Sequence, residues 1–151
     1  MSKVYRVSFA IIALLTASTT YAATITYIGD LTGPAESPPN ASPGTGFTTI
    51  AYTASTHMLQ VDVSFSGLLG TTTASHIHCC TAVAGVSTAG VATQVPTFSG
   101  FPLGVTAGTY SQTFDLTQAA SFNPAFVTAN GGTAATAEAA LAAGIASGRP
   151  T

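Results

Sequence analysis

Hydrophobic and polar residues alternate along four stretches of the chain, and this two-residue period predicts β-strands. The clearest stretch is 59–66, in which every second residue is apolar, as a sheet with one buried and one solvated face requires. The stretches 24–31, 46–54 and 109–116 show the same alternation and are rich in β-branched and aromatic residues. Residues 55–57 are expected to form the hairpin link between the second and third of these strands.

Weaker patterns predict the remaining elements. Residues 72–79 and 90–95 are expected to form two short strands on either side of a loop rich in small residues. The proline-rich stretch 33–44 is expected to be an ordered loop, because proline removes a backbone donor. The last third of the chain predicts helix: a short turn beginning near Pro124 and a longer helix over 134–147, built from strong helix formers.

Short strands with helix confined to the C-terminal end are typical of a mainly β fold. We expect an antiparallel β-sandwich or barrel, immunoglobulin-like or superoxide dismutase-like, with one or two short helices near the C-terminus. A chain of this length is expected to form a single domain with one core.

The first 22 residues have the three parts of a secretory signal peptide. A cationic start with Lys3 and Arg6 is followed by an apolar run and by small residues before a cut after Ala22. We therefore expect a signal peptide over 1–22 and a single domain over 23–151. No later segment is apolar for long enough to span a bilayer, so the product is expected to be secreted, periplasmic or on the cell surface.

The composition limits the classes of molecule that the chain is expected to bind. Only eight of the 151 residues are charged, whereas soluble domains usually carry about a quarter. Threonine and serine take their place, with 26 and 14 copies. After the signal segment Arg149 is the only cation, which excludes a basic footprint for nucleic acid. A neutral, hydroxyl-rich surface suits contacts with an extracellular protein or glycan.

His76 and His78 are the most concentrated pair of candidate metal ligands. Residues i and i+2 of a strand share a face, so the two imidazoles are expected to lie side by side while Ile77 faces the core. Such a pair can chelate Zn²⁺ or Cu²⁺, but a stable site needs three or four ligands, which His57, Asp62 or a cysteine would have to complete. The favoured alternative is that the two histidines hydrogen-bond neighbouring loops and organise a turn.

Cys79 and Cys80 are the only cysteines in the sequence, and export favours their oxidation. Three alternatives stay open: a vicinal disulfide, two free thiols, or bonds to another chain. We favour the vicinal disulfide, which closes almost no loop and therefore adds little loop-entropy stabilisation. Soft thiolates beside two imidazoles would instead suit copper.

The sequence contains no recognisable catalytic motif. The Gly-x-Ser-x-Gly nucleophile elbow, the Walker loop and the dinucleotide fingerprint are absent. Asp62 and Asp115 lie on the expected polar faces of strands, where we interpret them as solvated surface charges rather than as a glycosidase pair. We therefore expect no enzymatic activity. The alternative is a protein that binds copper or zinc through the segment 76–80 and that could be redox-active when the bound ion is copper.

Four spaced motifs carry a resemblance to a known family. They are GPAESPP at 33–39, SPGTG at 42–46, VSFSGL at 63–68 and ASHIH at 74–78. Their order resembles that in chordin-type (CHRD) domains, in particular the bacterial exported branch associated with PEP-CTERM tails. The resemblance implies an extracellular β-rich module with no established enzymatic activity and a binding role or a structural role at the cell surface or in a matrix.

Members of that branch continue beyond the alanine-rich helix with a further strand and a Gly-Gly-Glu-Ile-Arg-Gly motif. This sequence ends at Thr151, soon after Gly148, so the resemblance leads us to expect a domain that lacks its closing strand. That strand carries a histidine in the branch. We therefore do not expect this chain alone to complete a metal site around His76 and His78.

Overall fold

The computed structural model describes residues 23–36, 38–84 and 86–148. The signal-peptide prediction falls on residues outside these ranges. Among the described residues, four strands form one antiparallel sheet in which each strand pairs with its neighbours along the chain. They are β1 (Thr24–Thr32), β2 (Thr45–Thr53), β3 (Met58–Ser66) and β4 (Gly108–Asp115). Each matches a predicted strand to within one residue at either end.

The strand register gives the sheet two chemically different faces. Directly opposed residues share a face, and the register opposes Leu59 to Tyr52 on one side and to Phe114 on the other. The face of the sheet that carries these side chains is the core face, and Leu59, Val61 and Phe114 on it are all buried. The alternate residues of each strand form the opposite side, which we call the open face. The alternation in the sequence predicted this division.

A tight hairpin joins β2 to β3 at the position predicted for it. The amide of Thr56 donates to the carbonyl of Thr53 at 3.3 Å. His57 has a φ of 58°, in the left-handed region that tight turns use and that histidine enters more readily than bulkier residues. Its carbonyl accepts a hydrogen bond from the amide of Leu116 at 2.8 Å, which ties the hairpin to the chain leaving β4.

Irregular chain and two helices, rather than a second sheet, pack against the core face. The core cluster draws its largest members from the strands, the irregular segment and the helices together: Leu59, Phe98, Phe101, Tyr110, Phe114, Leu116, Phe122, Phe126, Leu141 and Ile145. Phe98 lies at its centre, with ring centroids 5.0 Å from Phe114 and 5.9 Å from Tyr110. The prediction of a mainly β fold with short helices near the C-terminus is confirmed.

The short strands predicted at 72–79 and 90–95 were wrong, since these residues form only isolated β-bridges. Threonine hydroxyls take the place of ladder partners here. The amide of Ile77 donates to Oγ1 of Thr93 at 2.9 Å, and the amide of Ser75 likewise donates to a threonine hydroxyl. Hydroxyl side chains that bond backbone groups compete with regular pairing, and this segment is rich in them.

The helices are α1 (Pro124–Ala129) and α2 (Ala134–Ala146). The side chain of Asn123 caps α1 by accepting from the amide of Ala125 at 3.0 Å. Thr133 and Thr136 form a capping box at the start of α2, so the first amides of this helix have partners. No helix in the described part of the chain has the length and apolarity to cross a membrane.

Candidate functional site

The two neighbouring histidines lie side by side, as their spacing predicts. Ile77 between them is buried and belongs to the core, so His76 and His78 are directed away from it and are partly exposed. Their ring centroids are 5.9 Å apart and the ring planes make an angle of 77°. The alternation of side chains therefore holds locally, although the segment is not a strand.

Each of the two rings is held by one hydrogen bond to a backbone carbonyl. Nε2 of His76 donates to the carbonyl of Pro96 at 2.7 Å, and Nδ1 of His78 donates to the carbonyl of Ala89 at 2.8 Å. The second nitrogen of each neutral ring is then an acceptor. Imidazoles that bind metals commonly have this arrangement, with one N–H on a carbonyl and the other nitrogen available.

The ligands that would complete a metal site are not gathered around this pair. Among residues 23–36, 38–84 and 86–148, no group of three or more His, Cys, Asp or Glu side chains is placed to hold a metal ion. Cys79 and Cys80 are joined in a vicinal disulfide, so their sulfurs are not thiolates in this structure. His57 and Asp62, considered as further ligands from the sequence, have other partners.

The vicinal disulfide packs against helix α2. Sγ of Cys80 lies 3.7 Å from the carbonyl oxygen of Ala140. A Cβ atom at Gly144 would overlap the Sγ atoms of both cysteines. Glycine within a helix costs about 1 kcal/mol relative to alanine, and this contact is the reason for it at position 144.

A buried carboxylate that the sequence analysis did not single out joins α2 to the sheet. Glu138 is only 5% exposed, and its Oε1 accepts from the hydroxyl of Tyr52 at 2.7 Å. Its Oε2 lies 2.9 Å from Nδ1 of His57. Burial, with the hydrogen bond and charge of Glu138, raises the pKa of Tyr52 to about 12. His57 is thus a structural partner of the helix.

Asp62 and Asp115 each have their own local partners. Oδ1 of Asp62 accepts from the side-chain amide of Gln60 at 3.0 Å. Oδ1 of Asp115 accepts from the hydroxyl and the amide of Thr117 at 2.6 and 2.9 Å, and these bonds lower the pKa of Asp115. Contacts of this kind are those of solvated carboxylates that fix turns and strand surfaces.

Hydroxyl groups cover most of the open face. The register places on it the side chains of Thr24, Thr26, Thr32, Thr45, Thr49, Thr53, Ser64, Ser66, Thr109, Ser111 and Thr113. At one end of this face the polar groups bond one another: Gln60 donates to Ser111 at 3.0 Å and accepts from Thr113. That end therefore has much of its hydrogen-bonding capacity already used.

The other end of the open face is different. Phe47 is 42% exposed there, and the register opposes it to Ser64, which in turn lies opposite Thr109. Thr45 and Ser66 form the next opposed pair. The four residues are exposed, and none of their hydroxyls forms a hydrogen bond with another described residue. We call Phe47 with these four residues the Phe47 surface.

The Phe47 surface is concave. Its five residues line a shallow, open depression of about 680 Å³ at this end of the sheet, together with Gly46, Phe65, Ala107 and Gly108. The only carboxylate opposite Phe47 is Asp30, on the neighbouring strand β1. The depression thus combines an accessible aromatic ring with free hydroxyls and no cation among the residues that line it.

The comparison with protein families confirms the resemblance to CHRD domains, while the bacterial branch and the missing closing strand stay predictions. No curated protein and no solved structure matches the chain. The model of the CHRD domain matches residues 27–149, a range that includes all of β2, β3, β4 and both helices. The match covers well over half of the sequence. The chain therefore belongs to the CHRD-domain family.

Proposed function

We propose that this chain is a non-enzymatic extracellular module that binds a neutral glycan through the Phe47 surface. Membership of the CHRD family supports the general part of this proposal, because the domain is generally a non-enzymatic and typically extracellular module. Glycan binding is inferred from one observation: the exposed ring of Phe47 lies among four hydroxyls that have no hydrogen-bond partner among the described residues.

The chemistry of this surface matches that of a sugar. A pyranose ring presents C–H groups on one face, which pack on the electron-rich face of an aromatic ring. Its hydroxyls extend around the rim, where the hydroxyls of Thr45, Ser64, Ser66 and Thr109 can donate or accept. A concave surface with an apolar floor and a few polar groups is the general form of a small-molecule site.

Charge favours a neutral glycan over an acidic one. The full sequence carries a formal charge of −2, and the carboxylates of Asp30 and Asp62 lie on the open face beside the Phe47 surface. No cation lines the depression, so an anionic polysaccharide would meet only repulsion there.

Affinity electrophoresis tests the proposal. The purified chain is run in native gels that contain a soluble neutral polysaccharide, dextran, galactomannan or starch, or the acidic polysaccharide alginate. We expect a neutral polysaccharide to retard the chain and alginate to leave its mobility unchanged. Phe47→Ala is expected to weaken retardation at least about tenfold, since it removes the ring on which the sugar packs.

Met58→Ala is the matched control. Met58 is 37% exposed and lies on the same open face, at the end remote from Phe47, so its truncation should leave retardation as in the wild type. Wild-type mobility in all neutral gels, or equal retardation of Phe47→Ala and wild type, would overturn the proposal. Retardation by alginate alone would overturn it as well.

One observation favours a second candidate function, the binding of Cu²⁺ or Zn²⁺ by His76 and His78. Each ring already donates one N–H to a carbonyl and retains one acceptor nitrogen. A metal bound at about 2 Å from a ring nitrogen lies about 3 Å from the ring centroid, so two rings on one tetrahedral ion have centroids about 5 Å apart. The observed separation is 5.9 Å, and the rings would have to approach each other by about 1 Å to share one ion. Water would fill the remaining coordination positions.

Calorimetric titration with CuCl₂ and ZnCl₂ distinguishes this function from a structural role. If the pair binds metal, wild type takes up about one ion per chain, and His76→Ala and His78→Ala lose that uptake. His57→Ala is the control, because its imidazole is occupied by Glu138. Equal uptake by wild type and His76→Ala would exclude this site.

A further inference from the structure

Within residues 23–36, 38–84 and 86–148, the first strand of the sheet has one unpaired edge. β1 is the outermost strand and pairs only with β2 along its nine residues. No backbone hydrogen bond links its outer edge to any other described residue. Proteins usually protect such edges with lysine, proline or a bulge, and β1 contains none of these, with Asp30 as its only charge.

This edge also exposes large apolar side chains on both faces of the sheet. Ile28 on the open face is 72% exposed. Ile25 and Leu31, which lie on the side of the sheet that carries the core, are 49% and 38% exposed. An unpaired edge strand with exposed apolar side chains is a template for another strand.

We propose that the partner strand is β1 of a second copy of this chain, paired antiparallel around Ile28. Ile28 is the middle residue of Thr24–Thr32. A twofold axis perpendicular to the sheet and midway between the two Ile28 residues places Ile25 opposite Leu31 and Thr26 opposite Asp30. Each apolar residue thereby meets an apolar residue, and the carboxylate meets a hydroxyl that can donate to it.

The same register brings Tyr27 of one copy over Gly29 of the other. An aromatic side chain opposite a strand glycine covers the backbone that glycine leaves bare. In this register odd-numbered residues lie opposite odd-numbered ones and even-numbered residues opposite even-numbered ones. The N–H and C=O groups that point away from β2 in one copy therefore meet the same groups of the other copy.

Neighbouring registers are chemically worse. A shift of the axis to Tyr27 opposes Ile28 to Thr26, and a shift to Gly29 opposes Ile28 to Asp30, an apolar group against a charge. With the axis at Ile28, the two Asp30 residues lie four positions apart along the paired strands, about 14 Å, which exceeds the screening length of physiological salt. The strand is thus self-complementary in one register.

The proposed dimer has one continuous antiparallel sheet of eight strands. Opposed residues share a face, so both open faces, and both Phe47 surfaces, lie on the same side. An interface built on one strand pair is at the small end of specific interfaces. We therefore expect a dimer that dissociates on dilution into the micromolar range.

Sedimentation velocity at chain concentrations from about 1 to about 300 μM tests the association. We expect a concentration-dependent monomer–dimer equilibrium for wild type and a monomer throughout for Ile28→Lys, which places two lysines at the axis. Leu69→Lys is the control, since Leu69 is 81% exposed and lies outside the strands, and it should dimerise like wild type. A wild-type chain that is monomeric at the highest concentration, or an Ile28→Lys variant that still dimerises, would overturn the proposal.

Cysteine cross-linking tests the register. Ile28 alone lies opposite itself, so Ile28→Cys is expected to form a disulfide-linked dimer under mild oxidation, whereas Thr26→Cys alone is not. A mixture of Thr26→Cys and Asp30→Cys is expected to form a mixed dimer. Equal self-cross-linking of Ile28→Cys and of the control Thr113→Cys on β4 would contradict this register.

Two further readings separate folding from association and association from glycan binding. All substituted positions are exposed, so circular dichroism and thermal unfolding of each variant should match wild type. Phe47→Ala is expected to remain dimeric, so that loss of glycan binding and loss of the dimer are independent results.

Discussion

The two faces of the sheet are built from the same four strands and differ in nearly every property that matters for function. On the core face Leu59 and Val61 are each 1% exposed, and aromatic rings and helix α2 cover them. On the open face Gln60 hydrogen-bonds the side chains of Asp62, Ser111 and Thr113, whereas the Ser64 hydroxyl has no such partner among the described residues. The core face holds the buried apolar side chains that stabilise the fold, whereas the Phe47 end of the open face is exposed.

The polar groups on the two faces also differ in whether they have hydrogen-bond partners. On the core side, the carboxylate of Glu138 is buried and has both Tyr52 and His57 as partners. The hydroxyls of the Phe47 surface are exposed and lack partners of this kind. A buried polar group with complete hydrogen bonding holds layers together, whereas an exposed group without partners is available to a ligand.

The largest effect is expected from truncating the core face. Leu59→Ala should lower the free energy of unfolding by about 3 kcal/mol, from lost burial and the cavity that remains. Met58→Ala, next to it in sequence but on the open face, should change it by less than about 0.5 kcal/mol. Urea denaturation measures both. Similar losses for the two variants would show that the faces are not divided as described.

Removal of the buried carboxylate is expected to have the next largest effect. Glu138→Ala deprives the Tyr52 hydroxyl and the His57 imidazole of their acceptor and should cost about 2 kcal/mol. In a double-mutant cycle, His57→Ala should add little to Glu138→Ala, because the two residues share the interaction. Additive losses in urea denaturation would mean that the contact between them does not stabilise the fold.

Gly144→Ala tests the packing of α2 on the disulfide. The added methyl group overlaps both sulfurs, and overpacking of this kind should cost about 1 to 2 kcal/mol despite the better helix propensity of alanine. With Cys79→Ala and Cys80→Ala present, the same substitution should cost nothing or stabilise. Gly70→Ala is the control, since a Cβ there meets no atom within 4 Å.

The remaining effect is a loss of stability at alkaline pH that comes from the core face. The pKa of Tyr52 is raised to about 12 in the folded chain from an ordinary 10.0, so between these values the unfolded chain releases a proton that the folded chain retains. Stability from this group is complete below pH 10 and falls as the pH rises towards 12.

Tyr52→Phe should therefore reduce the decline in the free energy of unfolding across that window. Burial also raises the pKa of Tyr110, so part of the decline should persist in the variant. Urea denaturation at several pH values measures the difference. An unchanged decline in Tyr52→Phe would show that this hydroxyl does not lose its proton on unfolding.

The sequence predicted the parts of the fold that depend on short-range pattern. Alternation over 59–66 gave the strand and its two faces, and Pro124 and Thr133 marked the helix starts. The strand predicted at 72–79 was wrong because the backbone amides there bond threonine hydroxyls. The amide of Ile77, for example, donates to the hydroxyl of Thr93, 16 residues further along the chain. Periodicity does not report which group a backbone amide will find.

The candidate sites divide in the same way. The spacing of His76 and His78 predicted their adjacency, since it depends only on local geometry. The pairing of His57 with Glu138 spans 81 residues, and its only signal in the sequence was a single charged residue in an otherwise small and apolar helix. The Phe47 surface required the register of three strands, which brings Phe47, Ser64 and Thr109 into one row.

We propose above all that the Phe47 end of the open face is a functional surface. The most direct test is a two-dimensional amide NMR titration of the chain with neutral hexasaccharides of glucose and of mannose. We predict concentration-dependent shifts confined to Thr45, Phe47, Ser64, Ser66, Thr109 and their immediate neighbours, with the amides of Leu59 and Val61 moving least among the strand residues outside that end. The absence of shifts with either sugar, or shifts centred on the loops around His76 and His78, would contradict the claim.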